Sequence, residues 1–115
     1  MNRVNKYFRL AKQIAKKGGK RRRFRLGAVG VRSDGAIVTA CNISTRSPER
    51  HAHAEARVVR KLDYGSLVYV VRILRNGQLA NARPCQACQM AMRQRSISCY
   101  YSISDCEWGK LCLIK

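Results

Sequence analysis

The chain has 115 residues, with 24 Lys or Arg against six Asp or Glu, for a formal net charge of +18. That length suits one domain with a single core, and a 46% hydrophobic fraction excludes wholesale disorder. No run approaches a membrane span and the N-terminus lacks a signal-peptide core, so a reducing cytoplasm is the expected compartment.

Residues 4–17 set Val4, Tyr7, Phe8, Ala11, Ile14 and Ala15 at helical spacing, with cations on the opposite face. Gly18-Gly19 stops this helix. Eleven cations fall in the first 25 residues, ahead of the first acid, Asp34. Residues 1–25 therefore read as a strongly basic helix and connector within a single domain, 1–115. So lopsided a balance repels itself unless a polyanion is near, which makes nucleic acid the natural partner. The connector carries Lys20, Arg21, Arg22, Arg23 and Arg25 around Phe24. It either tracks a phosphate backbone or is a link that happens to be charged, and the sequence leaves both readings open.

Leu26 to Arg32 and Ala36 to Cys41 read as two strands joined at Ser33-Asp34-Gly35, with glycine where a hairpin needs positive φ. A polar loop, 42–50, then delivers the chain to His53. A helix is expected over 54–62 with Ala56, Val59 and Leu62 inward. Leu67 to Leu74 is almost continuously apolar, as a central strand covered on both faces should be. Asn76-Gly77 marks a turn, residues 85–95 a helix, and Ile97 to Ile103 the fourth strand, where one of Tyr100 and Tyr101 should reach the core. Twelve residues remain, too few for a crossover helix. The last short strand, Lys110 to Ile114, should therefore run antiparallel to its neighbour. Cys41, Cys99, Cys106 and Cys112 lie in apolar, strand-like surroundings and read as small hydrophobes.

The chemistry concentrates in two short stretches, His53-Ala54-Glu55 and Pro84-Cys85-Gln86-Ala87-Cys88. Zinc takes imidazole nitrogen and thiolate sulfur, and a catalytic site keeps three protein ligands so that water holds the fourth position. His53, Cys85 and Cys88 supply that set, with Glu55 left to move protons. Cysteines three apart on a helix share one face, Pro84 suits the helix start, and the helix dipole favours thiolates there. His53 and Glu55, two apart, share a site only if His53 sits in the entry turn. Taken singly, Cys-x-x-Cys is a redox pair or half a structural zinc knuckle, and His-Ala-Glu is a solvated first turn. Both halves together, in this order, favour the catalytic reading.

This run of helix, hairpin, His-Ala-Glu helix, strand, Pro-Cys-x-x-Cys helix and strand resembles the cytidine deaminase-like superfamily over nearly the whole chain. The resemblance implies an α/β fold, a three-layer α/β/α sandwich with about five strands in a mixed sheet and three helices. By position it implies that His53, Cys85 and Cys88 hold zinc and that Glu55 is the acid/base. It further implies that Asn42 and the backbone of Ala54 contact substrate, and that the Asp105-Cys106-Glu107-Trp108 stretch is a loop that meets neighbouring bases. Trp108 would then stack on a base; the alternative is a tryptophan covering core. Small members commonly form dimers or tetramers.

Charge favours hydrolytic deamination of cytosine to uracil in single-stranded DNA or RNA as the first expectation, since an unpaired base needs no flipping energy. Free cytidine, deoxycytidine or dCMP is the alternative substrate, although it leaves most of the positive charge unused. Deamination of tRNA adenosine is third, disfavoured by Arg83 where bacterial members of that group carry Glu before the proline. A non-catalytic basic zinc module is fourth, and Glu55 argues against it.

Overall fold

The computed structural model describes residues 3–16, 24–41, 59–74, 76–84 and 86–112. Among these, helix α1 (Arg3–Lys16) leads into strands β1 (Phe24–Val31), β2 (Ile37–Cys41), β3 (Leu67–Leu74) and β4 (Leu79–Ala80). Helix α2 (Gln86–Gln94) and strands β5 (Ser98–Ser102) and β6 (Trp108–Cys112) complete the chain.

The sheet order is β2-β1-β3-β5-β6, with β4 on β3. β1 lies antiparallel to both β2 and β3, β3 and β5 are parallel, and β6 is antiparallel to β5 as the short C-terminal remainder required. β2, β3 and β5 thus point the same way, and their carboxyl ends share one edge. β5 pairs β3 only over Leu67 to Val70, while β4 takes Arg72 and Ile73. β4 therefore wedges between β3 and β5 at the carboxyl edge. Ser102 fastens it there: Ser102 Oγ donates to Ala80 O at 2.8 Å, and Ala82 N donates to Ser102 O at 2.8 Å. A two-residue strand is too short for a sequence pattern to betray.

β3 behaves as its apolar run demands, with Val68, Tyr69, Val70, Val71 and Ile73 all buried. Alternation sends Val68 and Val70 to one face and Tyr69, Val71 and Ile73 to the other. The first face joins Leu26, Ala28, Ala40, Cys99 and Tyr101 to Cys88, Met92 and Ile97 around α2, and to Val59 and Leu62. The second carries α1 through Ala11 and Ala15, with Tyr7, Phe8 and Tyr100 around it. Three layers result, and the basic N-terminal helix is one of them. Both strand tyrosines are used, Tyr101 on the α2 side and Tyr100 stacked on Tyr69 with centroids 4.8 Å apart.

α1 approaches β1 where Gly27 offers no side chain. A Cβ there would fall 2.2 Å from Ala11 O and 2.6 Å from Ala15 N. The turn expected at Ser33-Asp34-Gly35 forms, with Gly35 at φ 90°, and Gly77 at φ 89° closes the turn after β3.

Some expectations shift. β1 starts at Phe24, so Arg25 belongs to a strand rather than to a connector. β6 starts at Trp108, two residues before the expected Lys110, because Tyr101 and Ser102 still offer pairing partners there. Two helices stand among the described residues where three were expected; the helix over 54–62 lies largely outside them, and Val59 is its one residue seen as helical. Cys99 is buried as a small hydrophobe, but Cys106 and Cys112 are exposed, one in a turn and one on the sheet edge. No disulfide joins the described cysteines. No helix among the described residues is long and apolar enough to cross a membrane.

Candidate metal and active site

Of the site expected from sequence, the described residues place Cys88, on α2, which begins at the carboxyl edge. α2 begins there because its far end, at Met92, passes straight into Ile97 and Ser98 beside the start of β3. Residues 80–84 set its start: Asn81 Oδ1 accepts from Arg83 N at 2.8 Å, Pro84 is buried, and Gln89 Nε2 donates to Pro84 O at 2.8 Å. Cys88 follows on the inner side of α2, 4% exposed, in the cluster with Val59, Val70 and Cys99. The chain leaves β2 at Cys41 on this same edge, one residue before Asn42, and reappears at Val59 on the same face as α2.

Of the expected ligands, Cys88 is placed; His53 and Cys85 lie outside the described residues, as do Glu55, Asn42, Ala54, Lys20, Arg21, Arg22 and Arg23. Among the described residues no group of three His, Cys, Asp or Glu is close enough to hold a metal. The donor chemistry nevertheless fits zinc. One imidazole and two thiolates are a recognised three-ligand set, and the thiol that is placed sits on the inner face of its helix rather than toward solvent.

Trp108 stands apart from this edge of the α2 layer. Its ring lies 5.5 Å from Tyr100 and 6.2 Å from Phe8, on the α1 face of the sheet. It opens a strand and packs against α1; the expected loop is confined to the residues before it. Sequence reading also passed over Arg72. Alternation puts it on the α2 face at the carboxyl edge, half-buried, opposite Leu26 and Ala80. Its signal was present as the one charge interrupting an apolar strand.

The end of α2 is joined to the segment 59–65. Arg95, just past α2, donates from Nη1 to Val59 O and, at 3.2 Å, to Leu62 O, while Gly65 N donates to Arg95 O at 2.9 Å. A cation on the last carbonyls of a helical turn also opposes the negative end of its dipole. Asp63 then ties this corner to the β1–β2 turn, accepting from Ser33 Oγ, from Ser66 Oγ and from Ser33 N at 3.1 Å. Those bonds, with Arg32 nearby and only slight opposition from burial, hold its carboxyl far below the usual range.

Residues 1–103 match the family model described as the cytidine and deoxycytidylate deaminase zinc-binding region. The chain belongs to that family. Zinc comes with the family, as does the hydrolytic deaminase class. Among solved structures, a cytidine deaminase from Burkholderia pseudomallei superposes with a TM-score of 0.74 at 18% identity, covering 98% of this chain and 94% of that one. One from Mycobacterium tuberculosis gives 0.64 at 23%, over 86% and 85%. One from Mycobacterium leprae gives 0.65 at 14%, over 96% and 94%. These likenesses establish the fold. No curated protein matches the sequence significantly.

Proposed function

We infer that the protein hydrolyses the amine of cytosine in a free nucleoside or nucleotide, giving the uracil product and ammonia. One observation carries the reading: Cys88 is buried at the edge where the chain also departs toward His53-Ala54-Glu55, in a fold whose family binds zinc. His53, Cys85 and Cys88 would hold that zinc. When bound, it supplies Lewis acidity that brings the ionisation of a water close to neutral pH.

The remaining work falls to the chain's own groups. Glu55 moves one proton of the attacking water to the ring nitrogen and then the second, from the hydroxyl now on the ring carbon, to the departing amine as the carbonyl forms, so that one water enters and one ammonia leaves. Asn42 and the backbone of Ala54 orient the substrate. The free substrate replaces the polymer as first choice because the family is that of cytidine and deoxycytidylate deaminases, and the superposed structures are cytidine deaminases.

The test is direct. Purified protein is incubated separately with cytidine, deoxycytidine, dCMP, a dC-containing oligonucleotide and tRNA, and uracil or inosine products are measured. Turnover of a monomer supports the reading. Turnover confined to the oligonucleotide or to tRNA overturns it.

A further inference from the structure

The cations of α1 and the sole tryptophan remain unexplained by a small substrate at the α2 edge, and they lie on the opposite face of the sheet. A cavity of about 170 Å³ opens there, walled by Phe8 and Trp108 and floored by Leu79 and Ser102, with Asp105 and Glu107 at its rim. Trp108 is 44% exposed, although its ring also touches Phe8 and Tyr100. Lys110 lies beside it on β6, with Nζ 5.3 Å from the centre of the Tyr100 ring.

On α1, residues four apart stack along one side, so Phe8, Lys12 and Lys16 form a row that starts at the cavity. Arg9 is exposed alongside it, and α1 contains no acid. The apolar side of α1 is already buried against the sheet through Ala11 and Ala15, which leaves nothing to insert into a lipid bilayer.

We propose that this face binds single-stranded nucleic acid, with one base stacking on the exposed side of Trp108 and the phosphates following Lys12, Lys16, Arg9 and Lys110. Stacking on an exposed aromatic ring and a cationic track beside it are the two components of sequence-tolerant single-strand binding. The acids sharpen the choice of base. Asp105 Oδ1 is occupied by Leu79 N at 2.9 Å, whereas Glu107 stands at the rim as an acceptor for an exocyclic amine such as that of cytosine. The site is on the other side of the sheet from the proposed deaminase centre and does not rest on that reading.

The sole tryptophan makes the test local. The full chain is titrated with single-stranded dC and dT 12-mers, heparin, and phosphatidylserine vesicles, following Trp108 emission and bound fraction across a salt series. The dC 12-mer is expected to quench Trp108, to bind more tightly than the dT 12-mer, and to lose affinity steeply with salt. Trp108→Ala should weaken binding by roughly 5- to 100-fold. Lys12→Gln should lower the salt slope by about one phosphate contact. Binding that leaves Trp108 emission unmoved, equal binding of heparin and oligonucleotide, or stronger binding to vesicles would overturn the proposal.

Discussion

Substituting Gly27 by alanine tests whether α1 is an integral layer. An added methyl group in a strand normally stabilises by limiting the unfolded chain. Here the new Cβ would meet Ala11 O at 2.2 Å, Ala15 N at 2.6 Å and Ala15 Cβ at 2.9 Å. Two of those atoms are backbone and cannot swing aside, so α1 would have to withdraw by about 1 Å to reach ordinary contact distance. A gap of that size forfeits a quarter to a half of the dispersion energy along the α1 face, where Ala11, Ala15, Tyr69 and Val71 are packed. Overpacking costs ~1–3 kcal/mol, and backbone contact argues for the upper end. A loss of ~2–3 kcal/mol lowers Tm by roughly 8–15 °C for a domain of this size. Urea and thermal melts give the global figure, and Trp108 emission reports the α1 face because its ring lies 6.2 Å from Phe8. A Gly27→Ala protein within about 0.5 kcal/mol of wild type would refute the close packing of α1 on β1.

Asp63 should govern part of the acid limb of stability. Its folded pKa lies below its unfolded value, so its contribution is complete above about pH 4 and is lost progressively as pH falls toward the folded value. Asp63→Asn should therefore be less stable at pH 7 and show a flatter pH profile below pH 5; an unchanged acid limb would remove the Ser33 and Ser66 bonds from the account. Arg95→Ala should cost about 1 kcal/mol in urea melts by releasing Val59 O and Leu62 O. It should also weaken zinc retention against a chelator more than Arg32→Ala does, since the Arg32 side chain reaches Lys61 O and Asp34 and does not join α2 to the Val59 segment. Equal retention in the two variants would show that Arg95 does not position the metal site.

Much of the architecture could be read from local pattern. The limits of β3 match the apolar run Leu67 to Leu74, since a strand buried on both faces has no polar alternation to blur its ends. α1 and α2 fall within a residue of expectation because their periodicity was clear and Pro84 marked an entry. What escaped was tertiary. The β4 wedge depends on Ser102, more than twenty residues away, and Trp108 was placed by strand pairing with Ser102 rather than by its neighbours in sequence. Arg72 was absorbed into an apolar strand because a single charge hardly alters the pattern. The candidate site was proposed from spacing, and of its residues only Cys88 lies among those described, buried on the inner side of α2; the family match spans both motif halves.

The central claim is that one zinc and one carboxylate divide the work between them. Metal content and cytidine turnover should be measured together on wild type and on Glu55→Ala. One zinc per chain in both proteins, with uridine formation falling by orders of magnitude in the variant, is the outcome this account requires. Zinc-free wild-type protein, or a variant that still deaminates at the normal rate, would contradict it.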